Sequence, residues 1–192
     1  MDELTHLLLK TPCTGGFTHL RLSAPQLAAR LQAGQEVEWG ENRYPVMRSN
    51  AQQGWIELLI KGEVPSTLQI SGPLGEALSL DRDACRFLLM GNLDQLPRLI
   101  FAVDTLRQQP TKQLFVLLQA DDELPFRPAP CRTMLPGIPA GVIATLPLLN
   151  DWGVRVRIAS QGELPGCYEG EIAQLAELWL ETQTEPVEVI YC

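Results

Sequence analysis

The apolar residues of this chain change their period near residue 80, and that change narrows the fold more than any other feature. Before it, short segments alternate apolar and polar residues: Phe17–Leu22, Gln35–Trp39 and Trp55–Ile60, with Thr67–Ser71 as a fourth. Period-two segments broken by Gly, Pro and Asn are the pattern of a small antiparallel barrel. Between the first two, Ser23-Ala24-Pro25 offers a cap and a first-turn proline for a short helix over Gln26–Gln32, stopped by Gly34. After it, apolar runs alternate with helical patterns. Cys85–Met90, Leu114–Leu118, Val154–Ile158 and Val187–Tyr191 read as strands. Asp94–Gln108, Gly141–Asn150 and Glu171–Leu180 read as helices, the second distorted by Pro147. Leu96, Leu99, Ile100, Val103 and Leu106 line one face of the first helix. Alternating strand and helix implies right-handed crossovers and a parallel sheet. The expected architecture is an antiparallel β-barrel over 1–80 and a Rossmann-like α/β domain over 81–192, with the boundary near Ser79–Asp83.

Composition removes several classes. Hydrophobic residues are 45% and charged residues 20%, which suits a packed globular chain. Glycine and proline number 15 each, so short elements and tight turns are expected. The net charge is −8 and the arginines are scattered singly, which argues against nucleic-acid binding. No apolar run approaches the roughly 20 residues that cross a bilayer. The five cysteines (Cys13, Cys85, Cys131, Cys167, Cys192) contain no CxxC pair, so reduced thiols are expected rather than a zinc or iron–sulfur site. Met1-Asp2-Glu3-Leu4 is acidic and unlike a secretory leader, and a cytoplasmic location is expected. Asp121-Asp122-Glu123 reads as a solvated loop, and Trp39, Trp55, Trp152 and Trp179 as packing residues.

Four local sequences, in this order, resemble the ferredoxin–NADP reductase superfamily. Ala33-Gly34-Gln35-Glu36-Val37 is similar to the turn that enters a barrel strand. Arg43-Tyr44-Pro45-Val46-Met47-Arg48-Ser49 stands where the family carries its flavin-binding motif. Gly72-Pro73-Leu74-Gly75 matches the GPLG turn that ends the barrel. Gly91-Asn92-Leu93-Asp94-Gln95-Leu96-Pro97 follows the first parallel strand, where the family has its nucleotide loop. Two branches share these features. The electron-transfer subunits of dihydroorotate dehydrogenase share GPLG and resemble Ser160–Leu175. The siderophore-interacting flavin reductases share the spacing of Arg43 and Arg48, the ends of the Gly91 loop, and the acidic turn Gln119–Leu124.

The resemblance implies a flavin-dependent NAD(P)H oxidoreductase, with FAD and NAD(P) as cofactors. Electrons would pass to a redox protein partner or a small-molecule acceptor. Arg43 or Arg48 would meet the flavin phosphates, Tyr44 the isoalloxazine ring, and Gly72, Pro73, Leu74 and Gly75 would shape the groove. Gly91 and Asn92 would border the nucleotide. No side chain is expected to act as acid or base, because hydride transfer is the cofactor's chemistry. This chain departs from the pattern at three places. The hydroxyl position holds Val46 or Met47, depending on register, with Ser49 displaced. The segment Lys61–Ser71 is shorter than the family's strand and helix that receive the pyrophosphate. The nucleotide loop has Gly91 alone, and the family's cysteine-containing turn is represented only by Cys192. These departures define the rival expectation, a cofactor-poor relative that keeps the fold as a binding or assembly module.

Overall fold

The computed structural model describes residues 1–65, 69–80, 83–121, 123–162 and 164–192. Thr67 and Asp122, singled out above, lie outside these. The chain divides into two compact units, one of Met1–Leu80 with Gln95–Thr105 and the other of Asp81–Asp94 with Leu106–Cys192.

The first unit is a seven-stranded antiparallel half-barrel. Its strands are β1 (Asp2–Leu4), β2 (His6–Pro12), β3 (Phe17–Ser23), β4 (Glu36–Trp39), β5 (Asn42–Asn50), β6 (Trp55–Lys61) and β7 (Gln69–Leu74), with helix α1 (Pro25–Ala28) after β3. Their order across the sheet is β1-β7-β4-β5-β6-β3-β2. The alternation that predicted strands is the one that fills the core. Leu20 and Leu22 of β3, Val37 and Trp39 of β4, and Ile56, Leu58 and Ile60 of β6 are all buried. Each stabilises the fold by roughly 1.5–3 kcal/mol on leaving water.

Three strands of this unit carry no period-two signal. β2 is an edge strand exposed along its whole length, so Leu7, Leu8 and Leu9 show no inward face. β1 is only three residues long. β5 contains Pro45 and a bulge at Met47, between the pairs Val46–Leu58 and Arg48–Glu57, so its inward set shifts partway along. Helix α1 stops at Ala28 rather than Gln32, and Ser23 does not cap it. Glu3 from β1 does so instead: its two carboxylate oxygens accept the Gln26 and Leu27 N–H groups at 3.0 and 2.8 Å. Glu3 is nearly buried, and the orphan donors of a helix start are where a carboxylate belongs.

Helix α2 (Leu96–Leu106) is shorter than expected, and it clusters with the first unit, although the sequence places it after the first parallel strand. Its apolar face, Leu96, Leu99, Ile100, Val103 and Leu106, is buried. Polar ties join it to the half-barrel: Arg98 pairs with Glu36, and Asp104 with Arg48.

The second unit holds a five-stranded parallel sheet of order β13-β12-β9-β8-β14. Its strands are β8 (Arg86–Asn92), β9 (Gln113–Gln119), β12 (Arg155–Ser160), β13 (Tyr168–Glu169) and β14 (Glu188–Tyr191). A two-stranded antiparallel pair, β10 (Ala129–Pro130) and β11 (Ala144–Thr145), lies in the proline-rich connection. The expected helix over 141–150 is instead β11 followed by the short α3 (Pro147–Asp151). Pro147 begins that helix because a first-turn proline has no N–H to lose, whereas an interior one would break the ladder. Helix α4 (Ile172–Leu180) covers the sheet: Leu175 and Trp179 pack with Leu88, Met90, Phe115 and Leu117. The Phe115 and Trp179 ring centroids are 4.8 Å apart.

Candidate functional site

Strand β5 carries the residues expected to meet flavin, and the local geometry separates them. Tyr44 pairs with Val37 and Arg43 with Glu38 on β4. Successive strand residues face opposite ways, so Tyr44 joins the Val37 and Trp39 face while Arg43 is exposed on the other. The Tyr44 ring stands edge-on to Trp39, with centroids 6.4 Å apart. At the bulge, Val46 and Met47 are both buried. The Ser49 hydroxyl donates to the Ala28 carbonyl at 2.8 Å and ties β5 to α1.

Arg48 is held by carboxylates. Its Nη1 lies 3.4 Å from Glu57 Oε2 and its Nε 3.4 Å from Asp104 Oδ2. Glu57 is almost fully buried in the middle of β6 and also accepts from Arg21, at 2.9 Å from Nε and 2.6 Å from Nη2. His19 Nε2 is 3.6 Å from the same oxygen. Burial pushes the Glu57 carboxyl up, but the nearby His19, the hydrogen bonds from Arg21 and the charge of Arg48 outweigh it, and the net direction is down. Both guanidinium groups sit over Trp55, with Cζ 4.4 Å (Arg21) and 5.5 Å (Arg48) from the ring centroid. Sequence reasoning missed Glu57, although one carboxylate inside the run WIELLI was the signal for a buried, paired charge.

The GPLG turn is a packing device in this chain. A Cβ on Gly72 would lie 3.1 Å from Val37 Cγ1 and 3.3 Å from Leu27 Cδ2, so glycine lets the backbone approach β4 and α1. Gly72 N–H donates to the Met1 carbonyl at 3.0 Å, and the Gly72–Pro73 bond is cis. Leu74 ends β7 opposite Glu36, and the Gly75 carbonyl accepts from Gln35 Nε2 at 3.1 Å.

In the second unit, Gly91 and Asn92 close β8, pairing in register with Leu118 and Gln119 of β9. Strand order gives this place meaning. From β8 the chain builds outward through β9, β12 and β13, then returns to place β14 on the other side of β8. The carboxyl ends of β8 and β14 therefore flank the point where the winding reverses, the usual crevice for nucleotides in open α/β sheets. Tyr191 pairs with Met90, and the Cys192 N–H continues the ladder to the Met90 carbonyl at 3.0 Å. Cys192 itself is buried. Asn92 is exposed at that edge.

The neighbouring carboxyl ends are closed by their own side chains. Gln119 Oε1 accepts the Ile172 N–H at 2.9 Å, and its Nε2 donates to Asp121 Oδ1 at 2.8 Å and to the Gly170 carbonyl at 3.3 Å. Asp121 also accepts the Gln161 N–H at 2.8 Å. Glu171 and Gln174 form a capping box on α4. The start of α4 is thus already satisfied and offers no cradle to a phosphate. Among the described residues no group of three or more His, Cys, Asp or Glu side chains is placed to hold a metal ion, and no helix is long and apolar enough to cross a membrane.

The residues present do not fit FAD in the manner the resemblance implied. Tyr44 and Arg43 face opposite ways, Arg48 is neutralised by two carboxylates, and the Ser49 hydroxyl is committed to Ala28. Gly91 and Asn92 lie at the switch point of the sheet.

The fold resembles that of flavin and NAD(P)H oxidoreductases of the ferredoxin-reductase type, as the sequence resemblance implied. No family model matches the sequence, and no curated protein matches it either. Solved structures match across nearly the whole chain. An NADH-dependent reduced ferredoxin–NADP oxidoreductase is 14% identical, with 98% of this chain and 68% of that one covered at a TM-score of 0.68. The ferredoxin reductase of carbazole 1,9a-dioxygenase is 15% identical, with 100% and 60% covered at 0.68. A siderophore-interacting protein from Acinetobacter baumannii is 8% identical, with 100% and 78% covered at 0.59. The chain spans about two thirds of the first two proteins. At these identities the likeness is one of fold.

Proposed function

We propose that this chain is a nicotinamide-linked electron-transfer protein, taking an NAD(P) nucleotide at the carboxyl edge of its parallel sheet. One observation carries the reading: Gly91 and Asn92 end β8 beside β14, where the winding of the sheet reverses. When bound, the nucleotide supplies hydride chemistry. The protein's part is to bind and orient it with the backbone at Gly91 and the side chain of Asn92, and no acid or base is required. The acceptor would be a redox protein or a small molecule. Since the flavin residues are dispersed, flavin is an exchangeable acceptor in this reading rather than a resident cofactor.

A second reading is favoured by the commitment of Arg48 and Ser49 to intramolecular bonds. It is the cofactor-poor relative, a binding or assembly module on the same fold. Thermal denaturation with NADH, NADPH, FAD and FMN separates the two. The electron-transfer reading expects NADH or NADPH to raise the melting temperature by mass action, and no yellow colour to survive gel filtration. If neither nucleotide shifts the transition, that reading fails and the module stands. A flavin retained through gel filtration would overturn the account of the barrel residues.

A further inference from the structure

The second unit buries one charge that neither reading uses. Arg157, in the middle of β12, is 2% exposed. An arginine guanidinium is a permanent cation. It donates to backbone carbonyls, from Nη1 to Val156 at 2.6 Å and from Nη2 to Thr133. Its Nε is buried with no hydrogen-bond partner. Among the described residues no carboxylate pairs with it. A buried cation met only by carbonyl dipoles calls for an anion.

A cavity of about 90 Å³ opens beside it, lined by Arg157, Cys131, Thr133, Leu135, Ile138 and Val142 among others. The Cys131 sulfur is half-buried there and accepts the Thr133 N–H at 3.4 Å. Its backbone is fixed by β10–β11, since the Cys131 N–H donates to the Ile143 carbonyl at 2.7 Å. The charged groups along this cavity are Arg132 and Arg157, both cations. No other cysteine lines it.

We propose that Cys131 is a reactive thiol site, in which Arg157 holds the sulfur as its anion and a small hydroperoxide oxidises it to the sulfenic acid. Burial pushes the thiol up, but hydrogen bonds from Thr133 and the nearby Arg157 charge outweigh it, and the net direction is down. Cys167 is the internal contrast, because burial alone acts on it and pushes its thiol up. The step balances with hydrogen peroxide as oxidant. The thiolate sulfur attacks one peroxide oxygen, an S–O bond forms as the O–O bond breaks, and the electron pair leaves on hydroxide, which takes up the proton the thiol had released and departs as water. Sulfur loses two electrons and the peroxide gains them.

The test uses the full chain. Iodoacetamide alkylation, resolved by cysteine in peptide mass spectra, is followed against pH; a dimedone trap after brief hydrogen peroxide treatment reports sulfenic acid. Cys131 is expected to alkylate at a lower pH midpoint than exposed Cys85, and to carry most of the dimedone label. Arg157→Met is expected to raise that midpoint and slow Cys131 alkylation at pH 7 about tenfold, with Arg157→Lys partly restoring it. The wild-type profile decides the matter even if both variants unfold. A Cys131 midpoint at or above that of Cys85, or dimedone label spread evenly over the cysteines, overturns the proposal.

Discussion

Glu57 shows how one residue can decide what a motif is able to do. Its carboxylate sits between Arg21, His19 and Arg48, and so removes Arg48 from the set of cations that could meet a phosphate. Replacing it by Gln leaves two guanidinium groups facing a neutral amide. Arg21 and Arg48 both reach solvent, which softens the cost of a broken pair to about 2–3 kcal/mol. Urea denaturation of Glu57→Gln at pH 7 measures it. The pH dependence has a definite sign. The Glu57 carboxyl is lower in the folded chain than its ordinary 4.5, so the unfolded state binds more protons as pH falls. The stability it adds is therefore present above about pH 4.5 and is lost as pH drops through the folded value. The Gln variant is expected to lack that part of the acid slope, so the gap between the two proteins narrows toward pH 3. Ser49→Ala gives a companion result. It removes the bond to the Ala28 carbonyl and is expected to cost about 1 kcal/mol without altering any response to FAD.

Elements were legible wherever burial imposed a period. β3, β4, β6 and all four long strands of the parallel sheet follow runs visible in the sequence, because each buries one face or both. β2 left no trace because it is an exposed edge, and β5 because its bulge moves the inward face from one residue set to another. The extent of α1 was misread because its cap is not local: Glu3 arrives from another strand, and sequence spacing cannot show that. The turn Ala33–Val37 was legible, and its glycine has a reason. Gly34 has φ +94°, and a Cβ there would lie 2.7 Å from Leu78 Cγ and 2.8 Å from the Leu78 nitrogen. Gly34→Ala is therefore expected to destabilise by roughly 1–3 kcal/mol, from positive-φ strain and overpacking together. Chemical denaturation at neutral pH measures this, and a change within 0.5 kcal/mol, ordinary for a surface substitution, would show that the turn yields.

At the scale of the whole molecule, the order of the two patterns in the sequence was enough to place the fold, whereas the candidate sites were legible unequally. Motif order singled out Gly91–Asn92 and Arg43–Ser49 alike, and only the first pair lies at the winding reversal of the sheet. A strand end beside a winding reversal is a place where backbone groups face outward, whatever the side chains do. A flavin clamp instead needs particular side chains on one face, and a bulge plus one buried carboxylate disperse them. The two sites should therefore answer mutation differently. Asn92→Trp puts a bulky ring at the exposed end of β8, and is expected to abolish the melting shift given by NADH or NADPH. Arg48→Ala removes a partner of Glu57 and Asp104, and is expected to lower the unliganded transition while leaving the nucleotide shift intact. Differential scanning fluorimetry of both variants, with each nucleotide, reads the pattern directly. An undiminished nucleotide shift in Asn92→Trp would move the nucleotide away from the β8–β14 edge, because a bulky indole at the end of β8 and a dinucleotide phosphate in the same crevice exclude one another.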